Sequence, residues 1–141
     1  MKIISFAYTT PAVIAFEKNV TRRDWQLRTA LAYNKGDIVQ AWDTSPRFGG
    51  KKFGLIQLTE KPYEEQTCNA PIQDRKGEGF EFLHKHGILI AGKYDALDLW
   101  KAWMMMKDVT KWVVRFEVVD LDRYVCDEIM EKFNLKGVVR T

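Results

Sequence analysis

The residues best suited to chemistry in this chain lie close together near its N-terminus. Lys18, Thr21, Arg22 and Arg23 fall within one short stretch, directly after an apolar segment. If that stretch is extended, its side chains alternate between two faces, so Thr21 and Arg23 share one face and Arg22 lies on the other. A turn at Lys18 then folds its ammonium back over Thr21. A hydroxyl placed between two cations suits an anion-binding site or a nucleophile, whereas the alternative is a strand with solvated arginines.

Two kinds of chemistry fit these residue types. Nucleophilic catalysis needs a nucleophile, a base and a group that stabilises developing negative charge. Thr21 supplies the nucleophile, Lys18 the base if burial lowers its pKa, and Arg23 the oxyanion contact or a phosphate contact. A site that only binds nucleic acid needs basic residues for phosphates and an aromatic ring for a base. Trp25 is the preferred ring, and its alternative role is packing in the core.

The charge of the chain is unevenly distributed. Its net charge is +3 over 141 residues, a length that indicates one domain. The first 58 residues hold nine Lys and Arg against four Asp and Glu. Arg47 and Lys51 belong to this excess and lie in a glycine-rich loop, so we expect both to contribute to binding. Such asymmetry points weakly to a polyanionic partner, including nucleic acid.

Several classes of protein are excluded by what the sequence lacks. No apolar run is long enough to span a membrane, and no signal-peptide pattern begins the chain, so we expect a cytoplasmic protein without a membrane partner. The two cysteines lie far apart without a CxxC companion, which argues against a zinc site. GxGxxG, P-loop and HExxH motifs are also missing. We therefore predict no metal and no cofactor.

Short helices alternate with strands without a regular βαβ rhythm. This pattern predicts an α+β domain around a partly closed β-barrel. The predicted strands are Ile3–Tyr8, Val20–Arg23, Ile38–Trp42, Phe53–Thr59 and Lys111–Val119, and the predicted helices are Thr10–Phe16, Trp25–Tyr33, Glu78–His86, Asp95–Met106 and Cys126–Phe133. Thr10 is expected to cap its helix, residues 62–77 to form a loop, and both Trp100 and Trp103 to pack in the core.

In this order the residues resemble the ASCH domains, a family of PUA-like β-barrels. The matching pieces are K-x-x-T-x-R at residues 18–23, the strand entry Gly36-Asp37-Ile38-Val39, Leu58-Thr59, Glu78-Gly79-Phe80, the W-x-x-W of Trp100 and Trp103, and the final strand at residues 113–116. The family usually has glycine two residues before the lysine, where this chain has Phe16. The resemblance covers roughly residues 2–119, which we assign to the ASCH-type domain, with residues 120–141 as a helical extension packed on it.

The resemblance implies a cleft for a nucleoside or single-stranded RNA. Bacterial N4-acetylcytidine amidohydrolases of this family use a lysine, a threonine and a glutamate at the positions of Lys18, Thr21 and Glu78. Other members are similar to single-strand ribonucleases or RNA-binding modules, and the same cations with Glu78 would serve phosphodiester chemistry. The expected substrate-binding residues are Arg22, Arg23, Trp25, Arg47 and Lys51. Glu78 also has a purely structural alternative, a carboxylate stabilised by a helix N-terminus.

Overall fold

A computed structural model describes residues 1–135 and shows a curled, six-stranded half-barrel with short helices. The strands are β1 (Ile3–Ser5), β2 (Val20–Arg23), β3 (Ile38–Trp42), β4 (Lys52–Leu58), β5 (Tyr63–Gln66) and β6 (Thr110–Leu121). The helices are α1 (Thr10–Ile14), α2 (Leu27–Leu31), α3 (Asp74–Gly77), α4 (Phe80–Lys85), α5 (Ala96–Trp100) and α6 (Arg123–Lys132). The predicted α+β class with a partly closed barrel is confirmed.

Strand β6 organises the sheet because it pairs with three other strands. The order is β1-β3-β4-β6-β2, and β5 also pairs with β6. β4 runs antiparallel to the second half of β6, while β5 and β2 run antiparallel to its first half. β1 and β3 are parallel, and the other pairings are antiparallel. The twelve residues of β6 therefore join the strand that carries Thr21 to the rest of the barrel.

The core fills the concave side of the half-barrel. The ring of Phe6 contacts that of Phe53 edge-on and that of Phe116 at a tilt. Helix α1 is buried along its whole length, and α6 adds Cys126, Ile129 and Met130. No helix within residues 1–135 has the length and apolar character needed to cross a membrane. The proposed extension at residues 120–141 remains a prediction, and its last six residues lie outside the described part of the chain.

Two local expectations, on residues 62–77 and on Thr10, were wrong, and strand β4 departs from regular alternation. Residues 62–77 contain β5 and α3 rather than only a loop. In β4, Phe53 lies on the buried side with Ile56 and Leu58, because a β-bulge between Leu55 and Ile56 shifts the alternation by one residue. Thr9, not Thr10, occupies the N-cap of α1.

Phe16 adopts a backbone conformation that favours glycine. Its φ is +60°, in the left-handed region, and 47 % of its surface is exposed. Non-glycine residues are rare there because the Cβ crowds the following carbonyl oxygen. The ASCH domains, which the sequence resembles, usually have glycine at this position. The turn that leads to Lys18 has a backbone conformation that glycine adopts readily.

Substitutions at Phe16 should separate backbone strain from side-chain packing. Both Phe16→Gly and Phe16→Ala remove the ring, but only glycine relieves the positive φ. We expect the glycine variant to be more stable than the alanine variant by about 1 kcal/mol. Urea unfolding of the two proteins measures the difference, and an alanine variant of equal or greater stability would contradict the strained turn.

Candidate functional site

The Glu78 carboxylate is the centre of a buried ion cluster. The Lys18 Nζ donates to Glu78 Oε1 at 3.0 Å and to the backbone oxygen of Glu78 at 2.7 Å. Arg22 Nη1 donates to Glu78 Oε2 at 2.8 Å. All three side chains are less than a tenth exposed. A buried charge is costly unless it is paired and hydrogen-bonded, so these contacts hold three segments of the chain in fixed positions.

The backbone around Glu78 explains how it reaches Lys18. Glu78 follows α3 and precedes α4, and Gly79 between them has a φ of +90°. A Cβ at Gly79 would lie 2.7 Å from the Cβ of Ala12 and 3.6 Å from the Cβ of Lys18. Only glycine permits this close approach of α1 and Lys18. Glu78 thus lies at the junction of two helices, after the last residue of α3 and directly before the N-cap of α4.

Asp74 forms a second ionic centre on the same side of the sheet. It accepts two hydrogen bonds from Arg115, at 3.0 and 2.9 Å, and one from Arg22 at 2.5 Å. Glu65 of β5 also accepts from Arg22, at 2.8 Å. The strand register places these side chains together, because Val113 of β6 lies opposite both Arg22 and Tyr63. Arg22 is thereby saturated with three carboxylates and acts as a structural cation.

Thr21 and Arg23 occupy the opposite face of β2, as the alternation predicts. Arg23 Nε donates to Thr21 Oγ1 at 3.2 Å, and its Nη2 donates to the backbone oxygen of Ser5 at 2.6 Å. The second contact links β2 to β1, the two end strands of the sheet order. The guanidinium also lies 5.6 Å from the centre of the Phe6 ring. Within residues 1–135, no carboxylate forms an ion pair with Arg23.

Burial changes the acid–base properties of these groups. Burial is the largest influence on Lys18 and lowers its pKa, although the Glu78 carboxylate partly opposes the effect. Burial also lowers the pKa of Arg23. Burial would raise the pKa of Asp74, but the hydrogen bonds from Arg115 and Arg22 outweigh it, and the net shift is downward. Burial thus moves the pKa of Lys18 in the direction that a general base requires.

The proposed catalytic residues are only partly assembled. Lys18 and Glu78 are in direct contact. Thr21 is buried, and its side chain lies on the face of β2 opposite to that of Arg22. The described structure has no hydrogen bond between Lys18 and Thr21. The Lys18 ammonium donates to Glu78, and the Thr21 hydroxyl accepts from Arg23 instead. Attack by Thr21 would require the Lys18 side chain to move.

The other expected binding residues lie apart from the cluster. Trp25 stacks on Tyr33, with ring centres 4.4 Å apart and planes 15° from parallel, so one face of its ring is covered. Arg47 is exposed in the turn between β3 and β4. Lys51 forms an exposed ion pair with Glu128 of α6 at 2.8 Å. Within residues 1–135, no recorded contact connects Trp25, Arg47 or Lys51 to the ion cluster.

Two surface cavities flank the cluster. One, of about 490 Å³, touches Lys18 and Arg115. The other, of about 330 Å³, is lined by Arg22, Glu78, Phe80, Trp103, Lys107 and Lys111, together with three apolar or neutral residues. Sequence reasoning missed Glu65 and Asp74, which lay in the expected loop, and it assigned Trp103 to the core although 45 % of its surface is exposed. In the described chain, no three His, Cys, Asp or Glu side chains are grouped as a metal site requires.

The Asp74 centre predicts a specific loss of stability in acid. A carboxylate with a lowered pKa contributes stability above its unfolded pKa, about 3.9, and that contribution is lost as the pH falls through the lower folded value. Asp74→Asn should therefore cost about 3 kcal/mol at neutral pH, the low end for a broken buried pair because Arg115 is partly exposed. The difference from the unmodified protein should shrink below about pH 4.

Urea unfolding between pH 3 and 7 tests this expectation. Glu128→Gln, which breaks the exposed pair with Lys51, is the matched control and should leave stability nearly unchanged. A constant difference between Asp74→Asn and the unmodified protein across the whole pH range would show that Asp74 is not held ionised by the arginines.

Comparisons with known proteins identify the fold but no family. No protein-family model matches the chain. No curated protein matches it either. The chain is similar to the crystal structure of protein EF3133 from Enterococcus faecalis, described under the family model DUF984, with 13 % identity and a TM-score of 0.51 over 86 % of this chain and 81 % of that one. This likeness is compatible with a PUA-like half-barrel and shows the fold alone.

Proposed function

We propose that this domain is a nucleoside- or RNA-binding hydrolase that removes an acyl group from the N4 amine of cytidine. The observation that carries the proposal is the buried Lys18, held by Glu78 and with a pKa lowered by burial. A lysine with a lowered pKa loses its proton more readily than an ordinary lysine, as a general base requires. The proposed substrate comes from the resemblance to the ASCH domains. Lys18, Thr21 and Glu78 lie at the positions that the acetylcytidine amidohydrolases of that family use.

The proposed reaction begins at Thr21. Its Oγ attacks the acyl carbon while Lys18 takes the hydroxyl proton. The proton passes to Glu78, which is 3.0 Å from the lysine, and then to N4 as the carbon–nitrogen bond breaks. Cytidine leaves and the acyl group remains on Thr21 as an ester. Water then attacks the ester, Lys18 takes its proton and returns it to Thr21, and the carboxylic acid is released.

Arg23 has the position and charge to stabilise the oxyanion. Its guanidinium already contacts Thr21 Oγ1, and its other contact is a neutral backbone oxygen. A cation in a poorly solvated site stabilises developing negative charge strongly. Substrate binding has to displace the Arg23 hydrogen bond to Thr21 and turn Lys18 towards the hydroxyl. Catalytic hydrogen bonds often tighten only when substrate is bound.

A second candidate is a single-strand RNA-binding module or ribonuclease without amidase activity. The separation of Lys18 from the Thr21 hydroxyl favours it, because phosphate binding needs no activated threonine. Loss of Arg22 does not test this candidate, since Arg22 holds three carboxylates and its removal would disturb the fold. Arg23 is the better residue, since no carboxylate of the described chain pairs with it.

Substitutions at Lys18 and Thr21 test the amidohydrolase. We expect kcat/KM for cytidine release from N4-acetylcytidine to fall by at least about 100-fold in Lys18→Ala, because the general base is lost. Thr21→Val keeps the side-chain shape and should be as inactive, while Thr21→Ser should retain turnover. The control is Lys76→Ala, which removes an exposed lysine of α3, the helix that directly precedes Glu78. This variant should be as active as the unmodified protein.

Chromatographic measurement of cytidine distinguishes the candidates. Absence of cytidine at high concentrations of the unmodified enzyme would contradict the hydrolase. Full activity in Thr21→Val would exclude the covalent mechanism. Binding of labelled single-stranded RNA that survives Thr21→Val and is lost in Arg23→Gln would favour the second candidate.

A further inference from the structure

The cavity beside Glu78 has an aromatic wall. Trp103 lies on a π-helical turn, Lys101–Met105, which continues α5. The centre of its ring is 5.9 Å from that of the buried Phe80, at a tilt of 56°. Phe80 supports one side of the indole, and almost half of the Trp103 surface remains exposed. π-helical turns are rare and occur frequently at functional sites, and an exposed indole on a rigid support can stack on a planar ligand.

Two lysines give the same cavity a positive side. Lys107 is exposed, and in the described chain no carboxylate forms an ion pair with its ammonium. Lys111, on β6, pairs with Asp24 at 2.7 Å, and the Asp24 carboxylate is largely exposed. Exposed pairs of this kind contribute little, so a ligand can compete for Lys111. The acidic residue on the cavity floor, Glu78, is already neutralised by Lys18 and Arg22.

The segment that carries Lys107 is held in place from below. The buried Thr67 hydroxyl donates to the backbone oxygen of Lys107 at 2.7 Å and accepts from the backbone nitrogen of Val109 at 3.1 Å. The backbone nitrogen of Thr67 also donates to the oxygen of Val109. These bonds fix the chain between Trp103 and Lys111, so the aromatic and cationic walls have a defined relative position.

We propose that this cavity binds one nucleotide unit of a single-stranded polynucleotide. The base stacks on Trp103, and the neighbouring phosphates contact Lys107 and Lys111. The volume of about 330 Å³ lies in the range of small-molecule sites, so one nucleotide fills it. A free nucleoside has no charge to neutralise Lys107, whereas a strand brings a phosphate on each side of the base.

The inference deepens the proposed function and rests on it for one part only. In the proposed reaction, Glu78 delivers a proton to N4 of the base. Glu78 and Trp103 line the same cavity, so a base stacked on Trp103 would lie on the side of the cluster that Glu78 faces. The preferred substrate is then an acylated cytosine within a strand, and free N4-acetylcytidine is a slower substrate of the same site. Strand binding itself depends on Trp103, Lys107 and Lys111 and not on the hydrolytic step.

Binding of a fluorescent eight-nucleotide oligocytidylate RNA tests the proposal, with cytidine 5′-monophosphate and cytidine as competitors. Trp103→Ala should weaken binding of the strand by about 5- to 150-fold, and Trp103→Phe should restore much of it. Lys107→Ala should weaken binding and reduce the slope of log affinity against log salt by about 0.7. Tyr124→Ala and Lys132→Ala, on α6, are the aromatic and cationic controls and should not change affinity.

Each outcome bears on a definite claim. Strand binding unchanged in both Trp103→Ala and Lys107→Ala would overturn the cavity as the site. Cytidine 5′-monophosphate that competes as tightly as the strand would identify a free nucleotide as ligand and overturn the polymer. Strand binding without release of acetate from an acetylated oligocytidylate or of cytidine from N4-acetylcytidine would leave this inference standing and contradict only the hydrolase. Cytidine release without strand binding would do the reverse.

Discussion

The pairing of the Glu78 carboxylate with Lys18 and Arg22 is the constraint on which the rest of the site depends. Two buried cations from one short stretch meet a carboxylate that is distant in the sequence, and removing one partner would leave a buried charge unpaired. Their contacts fix the α3–α4 junction against β2 and against the turn after α1. Gly79 makes this approach possible, since a side chain would collide with Ala12. The strained turn at Phe16 lies between α1 and Lys18, and it directs the Lys18 side chain towards the Glu78 carboxylate.

The cations of this region differ in their ionic partners and in the direction of their pKa shifts. Arg22 and Arg115 are satisfied by Asp74, Glu65 and Glu78, and they hold the β5–β6–β2 part of the sheet under α3. Lys18 and Arg23 differ, because burial lowers the pKa of each. Groups with perturbed pKa values concentrate at functional sites. The paired side chains fix the geometry, and in the proposed reaction Lys18 would take a proton and Arg23 would stabilise developing negative charge.

Local patterns predicted much of this arrangement, and non-local pairing accounts for what they missed. Alternation placed Thr21 and Arg23 on one face of β2 and identified β6 from its apolar periodicity. Glu65 and Asp74 escaped notice because their segment is polar and acquires structure only by pairing with β6 and packing over it. The bulge in β4 reverses a face assignment that strict alternation requires. Trp103 has helical spacing typical of a core residue, but it lies on the π-helical turn and 45 % of its surface is exposed.

The most direct test of the account is the pKa of the Lys18 ammonium, measured by NMR of the side-chain Cε and Nζ and assigned with Lys18→Arg. Because burial outweighs the attraction of Glu78, we expect Lys18 to titrate with a midpoint below its ordinary pKa of 10.5. Glu78→Gln removes the opposing influence and should lower the midpoint further. A Lys18 that titrates at or above its ordinary value would show that the ion pair dominates. Lys18 would then be a permanent structural cation, and its role as a base would be contradicted.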